Sequence, residues 1–387
     1  MNPSDTLSIA KSLMLDFADR TGLSTSGKEP RRYLWTDAFA VFNFLELYRQ
    51  TRVSEFRQLA LTLIDQVHET LGRYRQDDVR RGWISGLTEK EGRRHPTAGG
   101  LRIGKPLPER SPDDLYDDLS EWDRDGQYFH YLTKWMRALH RTGEITGDTN
   151  YNCLARELAQ TAHARFTYAS SAGGLKRMFW KMSTDLSRPQ VASMGQHDPL
   201  DGLITYYELL GKSQTEDSCP NLKKEINEMI NMCRNQDWTT DDPLGLGSLL
   251  ADACRVGQLT AKGAMTSPEL LENIVYSSQK GLKSFSRRSP LDLPAGLRLA
   301  FREFGLSIGL RAAAKLKTVM TEYPRSFRIT SVARQLEKIL RFGVLAPTIE
   351  DFWLTPDHRL AGTWIEHRDI NDVMLATSLV PEGFLSV

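Results

Sequence analysis

Residues 33–48 read YLWTDAFAVFNFLELY. A turn-forming opening, Tyr33-Leu34-Trp35-Thr36-Asp37, runs directly into an apolar helix of small and aromatic residues. The same grammar returns along the chain. Glu121-Trp122-Asp123-Arg124-Asp125-Gly126 leads into QYFHYLTKWMRALH, and Gln196-His197-Asp198-Pro199 leads into LDGLITYYELL. Asp241-Asp242-Pro243 opens LGLGSLLADAC, Leu293-Pro294 opens AGLRLAFREFGLSIGLRAAAKL, and His367-Arg368-Asp369 opens INDVMLATSL. Asp before a helix offers an oxygen to the free amides of the first turn. Pro just inside loses only a donor that the first turn cannot use.

Between these six units lie helices of a different kind, at about 5–20, 54–74, 149–167, 221–234, 267–284 and 327–342. In residues 54–74, Leu59, Leu63 and Val67 share one stripe, while Arg57, Gln58, Asp65 and Glu69 fall largely on another. One wet face suits an outer layer, and a helix apolar nearly all round suits an inner one. Period-two alternation and Asn-Gly or Asp-Gly turns are scarce. The spacing therefore predicts an all-α chain, an (α/α)6 barrel or six-hairpin toroid with inner and outer helical layers. The expectation is a single domain over 1–387, with a long loop insertion at about 80–112 that contains His95-Pro96, Gly99-Gly100 and Lys105-Pro106. Loops of that length are commonly functional lids, and a solvated excursion fits equally well.

Six turn-plus-apolar-helix units, with Trp35-Thr36-Asp37 in the first and Glu121-Trp122-Asp123 in the second, resemble the six-hairpin glycosidase-like proteins. The resemblance covers nearly the whole chain as architecture and rests on short motifs. It implies sugar hydrolases or sugar epimerases as the functional relatives. It also implies a pocket built by the loops before the inner helices, with carboxylates as general acid and base.

Composition narrows the classes. The 387 residues carry 50 basic and 49 acidic side chains, net +1, which gives no reason to expect nucleic acid or an anionic membrane as partner. Hydrophobic and charged fractions of 40% and 26% are those of a folded globular chain. Cys153, Cys219, Cys233 and Cys254 lack metal or redox spacing, so they read as buried thiols of a reducing cytosol. Met1–Lys11 shows no basic start followed by an apolar run, and no stretch has the roughly 18 apolar residues of a membrane span. The expected location is cytoplasmic.

The loops entering the inner helices bring carboxylates, histidines and tryptophans together. Asp37, Asp123, Asp125, Asp198 and Asp369 form the candidate acid/base pool, since glycoside hydrolysis needs one carboxyl to protonate the leaving oxygen and one to attack or activate water. His197 and His367, each beside an Asp, are candidate proton carriers. Trp35, Trp122, Tyr128, His130, Gln196 and Trp364 are candidate substrate-binding residues, the indoles offering flat apolar faces to a sugar. Arg298 and Glu303 lie deeper in the fifth helix. The structural alternative for any one Asp is a helix cap. No ligand spacing links the histidines, so neither a metal nor a cofactor is expected.

The leading expectation is a carbohydrate-active, glycoside hydrolase-like enzyme acting on a small molecule or oligosaccharide. One alternative is a sugar epimerase or isomerase using His197 and His367. A second is a non-catalytic binding scaffold. A third is a Mg-dependent isoprenoid enzyme, drawn from the acidic run Asp113-Asp114-Leu115-Tyr116-Asp117-Asp118, because hard oxygen ligands suit Mg²⁺ on a diphosphate. The Arg80–Arg110 segment, with Arg81, Arg93, Arg94, His95, Arg102 and Lys105, reads as a solvated charged loop or as a holder of an anionic group.

Overall fold

Burial separates the two kinds of helix that the sequence pattern distinguishes. The computed structural model describes residues 2–24, 27–169, 176–191, 193–211, 219–327 and 330–387. In chain order come α1 (Pro3–Arg20), α2 (Leu34–Thr51) and α3 (Ser54–Leu71), then two short helices, α4 (Glu89–Arg94) and α5 (Asp118–Glu121). Next are α6 (Phe129–Thr146), α7 (Asn150–Phe166), α8 (Asp198–Leu210) and α9 (Lys223–Cys233). Then follow α10 (Pro243–Ala261), α11 (Pro268–Arg288), α12 (Ala300–Glu322), α13 (Thr330–Leu340) and α14 (Leu345–Leu354). The chain ends in α15 (Gly362–Ile365), α16 (Arg368–Leu379) and α17 (Glu382–Leu385).

Every residue of α2 from Leu34 to Leu47 is buried. Its successor α3 buries Phe56, Leu59, Ala60, Leu63, Ile64, Val67, His68 and Leu71, a single stripe at helical spacing. The alternation persists: α6, α8, α10, α12 and α16 are buried over most of their length, while α7, α9 and α11 bury one face. Among the described residues, the six turn-opened segments each form an inner helix. The six intervening amphipathic segments each form an outer one, as α1, α3, α7, α9, α11 and α13. This is the all-α, (α/α)6 class of fold. Arg328 and Ile329, inside the expected 327–342 helix, lie outside the described residues.

The chain divides into two compact units, one of residues 18–234 and one of residues 1–17 with 235–387. In the 18–234 unit, α6 packs on both α2 and α8, with α3, α7 and α9 against them. Small strands decorate this unit. β1 (Gln127–Tyr128), β4 (Lys181–Met182) and β5 (Pro189–Val191) form an antiparallel sheet in the order β1-β4-β5, with Tyr128 opposite Lys181. β2 (Thr167–Tyr168) pairs with β3 (Arg177–Met178). In the 235–387 unit, α12 packs on α10, α14 and α16. Between α10 and α12 the backbones touch: a Cβ on Gly247 would lie 1.9 Å from the Gly305 carbonyl oxygen, and one on Gly309 would lie 2.5 Å from the Gly247 Cα.

Two expectations need correction. The 80–112 segment is no free excursion. A Thr88/Glu91 capping box starts α4, and Arg80 pairs with Asp78, Glu109 and Asp185. The buried Arg102 reaches Asp125 and the carbonyls of Thr70 and Arg73. The four cysteines are not all thiols either. Cys233 and Cys254 are buried thiols, but Cys153 and Cys219 form a disulfide. Their partnership spans 66 residues, so no local spacing announces it. Among the described residues, no helix is long and apolar enough to cross a membrane.

Candidate active site

The start of α6 is fixed before any functional group is placed. Gly126 takes φ +139°, and Gln127 and Tyr128 pair into the β1-β4-β5 sheet. That pairing brings Trp180, just ahead of β4, beside the α6 start. The Tyr128 and His130 rings stack at 5.3 Å, and His130 lies nearly parallel to Trp180 at 6.5 Å. Trp122 meets Trp180 edge-on at 5.4 Å and is 51% exposed. On the other side, Tyr131 is edge-on to His130 at 4.9 Å, and its hydroxyl lies 2.7 Å from that of Tyr33. Burial pushes the Tyr33 phenol up to about 12, against the lowering effect of its bond to Tyr131. Burial likewise raises the Tyr128 phenol.

Asp198, the first residue of α8, enters this aromatic row. Its Oδ1 lies 3.5 Å from His130 Nδ1, with the carboxylate 6% and the imidazole 31% exposed. Among the described residues, neither His130 Nδ1 nor Asp198 Oδ2 has a hydrogen-bond partner, although both atoms are buried. Gly195 makes room for the carboxylate, since a Cβ there would lie 2.5 Å from Oδ2. Buried polar atoms are normally satisfied, so this pair has room for a further hydrogen-bond partner, a water or a ligand group.

Two other candidate carboxylates of this unit, Asp37 and Asp125, are held locally. Asp37 is buried, accepts the Tyr33 amide at 2.8 Å and faces Arg32 at 3.3 Å, so it ties down the start of α2. Asp125 is fully buried against Arg102 and the amides of Gly104 and Gly126, each at 3.0 Å. Both are loop anchors rather than members of an open acid/base pool. Asp201 takes Lys134 at 2.7 Å and the Thr133 hydroxyl. Asp123 and Gln196 are exposed, and His197 is the half-buried N-cap residue of α8. Trp35 is packed on Phe39 and Tyr131, whereas Trp122 is exposed and Trp180 half-buried.

The candidates of the 235–387 unit sort similarly. Trp364 is 3% exposed, wedged among Phe304, Trp353 and Arg359, which corrects its reading as an open sugar platform. Arg298 and Glu303 make a buried two-bond clamp, and Glu303 also accepts the Trp353 indole at 2.8 Å. Asp242 caps α10 through the Gly245 amide. His367 is exposed, its ring edge-on to Phe301, and Asp369 is half-buried in the first turn of α16. An apolar cavity of about 260 Å³ among Leu271, Met320, Phe327 and Val332 contains none of the candidate residues.

The acidic run also serves locally. Asp114 accepts the Ser111 amide, Asp117 caps α5, and Asp118 accepts the Tyr116 hydroxyl. Among the described residues, no cluster of three or more His, Cys, Asp or Glu is arranged to hold a metal ion.

No family model and no curated protein matches this chain. Solved structures do. A cellobiose 2-epimerase from Bacillus thermoamylovorans is similar at 10% identity, with 88% of this chain and 86% of that one covered and a TM-score of 0.49. A D-mannose isomerase is similar at 12% identity, over 85% and 84%, with a TM-score of 0.45. A family 76 glycoside hydrolase from a bovine Bacteroides thetaiotaomicron strain is similar at 11% identity, over 89% and 78%, with a TM-score of 0.48.

Sequence reasoning placed His130 among the substrate-binding residues and missed its pairing with Asp198. It did not single out Tyr33 or Tyr131, and it named Lys105 only as one charge of the Arg80–Arg110 segment. The available signal was the adjacency of Tyr128, His130 and Tyr131 at one inner-helix start.

Proposed function

We propose that this protein is a sugar isomerase or epimerase, with His130 as the base that moves a proton at a carbon next to the sugar carbonyl. The observation that carries the reading is the His130–Asp198 pair inside an aromatic row. A carboxylate beside Nδ1 favours the tautomer with the proton on Nδ1, leaving the Nε2 lone pair free. An imidazole can both take and return a proton. A single base suits aldose–ketose isomerisation, in which one group carries the proton between neighbouring carbons on one face. Trp122 and Trp180 supply flat apolar surface to the C–H face of a sugar. Paired-carboxylate hydrolysis is less well supported, because Asp37 and Asp125 of the acid/base pool are each engaged by an arginine and backbone amides, which leaves Asp123 and Asp198 in this unit.

The test is proton exchange. The chain is incubated in D₂O with D-mannose, D-glucose and D-galactose, and deuterium at C1 and C2 is followed by NMR. Expected is incorporation with at least one aldose, lost in His130→Asn and Asp198→Asn. Release of sugar from glycosides without any incorporation would replace this reading with hydrolysis. Neither reaction, with sugar binding intact, would leave a binding scaffold.

A further inference from the structure

The lysines of the 18–234 unit show one anomaly. Lys134 gives its ammonium to Asp201 at 2.7 Å. Lys181, fully buried, gives its own to the Glu121 carboxylate and to the carbonyls of Glu121 and Arg124, all at 2.8 Å. Lys105 is half-buried, yet among the described residues no carboxylate or other acceptor meets its ammonium. Its Nζ stands 5.5 Å from the centre of the Tyr33 ring. Removing a charge from water without a partner is costly, which is why buried cations are normally paired. Burial indeed lowers the Lys105 pKa, with Asp123 and Asp125 opposing the shift from a distance.

The backbone around Lys105 is firmly held. Arg75 donates to the Lys105 carbonyl at 2.6 Å and to the Pro106 carbonyl at 2.9 Å, and is itself paired with Asp77. The neighbouring Gly104 amide is bonded to Asp125. The backbone that carries the Lys105 side chain is therefore held, while its ammonium rests against the Tyr33 ring. It borders the proposed site: the Tyr33 ring beneath it is bonded through its hydroxyl to Tyr131, whose ring abuts His130. A partly desolvated cation bordering the proposed site is suited to a substrate anion, because a charge-assisted bond strengthens as water is excluded.

We infer that the substrate is an anionic sugar, a uronate, whose carboxylate is bound by Lys105 beside Tyr33. This rests on the sugar-binding reading of the His130–Asp198 site. It adds a charge requirement that the proton-transfer chemistry does not itself demand.

Calorimetric titration of the full chain tests it, with glucuronate, galacturonate and mannuronate set against glucose, galactose and mannose. At least one uronate is expected to bind about tenfold or more tightly than its neutral parent. Lys105→Met should erase that advantage, so that uronate and neutral parent bind alike. Lys105→Arg should restore most of it. Circular dichroism establishes that both variants are folded. Equal binding of uronates and parents, or an advantage that survives in Lys105→Met, overturns the inference and leaves the sugar pocket standing. Binding of neither class overturns both.

Discussion

His68 makes stability depend on pH in a way that can be worked out in advance. It lies on the buried stripe of α3, and burial alone lowers its pKa from 6.5 to about 3. The Trp135 indole donates to its Nε2 at 3.2 Å, so protonating that nitrogen would also strip a buried N–H of its acceptor. The folded pKa lies below the unfolded one, and the protonated form is the charged one. Between these values the unfolded chain binds the additional proton. Stability from keeping His68 neutral is therefore complete above pH 6.5 and is lost as pH falls towards 3. At about pH 5, roughly 1.5 units below the unfolded pKa, the loss is about 2 kcal/mol. His68→Gln keeps an oxygen acceptor for Trp135 and removes the titration. Urea unfolding of both proteins, followed by tryptophan fluorescence at about pH 7.5 and about pH 5, isolates the effect. The wild type should lose about 2 kcal/mol more than the variant between the two pH values. Parallel losses would refute the burial argument.

Two further outcomes follow from other contacts. Asp125→Ala leaves Arg102 buried without its carboxylate and should cost about 3–5 kcal/mol, seen as a lower denaturation midpoint. An unchanged midpoint would return Asp125 to the pool of available carboxylates. Reducing the Cys153–Cys219 disulfide reopens a 66-residue loop and should cost about 4 kcal/mol, measured by unfolding with and without dithiothreitol. Cys153→Ser should then be insensitive to the reductant.

The layered helices were legible because their evidence is local and repeated. Leu59, Leu63 and Val67 share a stripe whatever lies across from them, and Asp242-Pro243 marks a helix start by its own chemistry. The strands escaped notice because two-residue elements such as Gln127–Tyr128 have no room for a period. The roles of the carboxylates were not legible, since they depend on partners brought from elsewhere. Arg102 reaches Asp125 across 23 residues, and His130 meets Asp198 only when α6 and α8 pack together. A depleted or surplus charge such as Lys105 has meaning only once the neighbours that could have neutralised it are known.

The glycine contact between α10 and α12 has a mechanical consequence. With Gly247 set against Gly305 and Gly309, no side chains lie between the two backbones there to absorb a displacement by changing rotamer. The helix starts are joined as well, Arg302 of α12 to the α10 cap Asp242, and the Phe301 amide to Asn371 of α16. A push on the first turn of α12 is thus shared with both neighbours as rigid motion. Between α10 and α12, then, a displacement is resisted by backbone against backbone rather than cushioned by side chains.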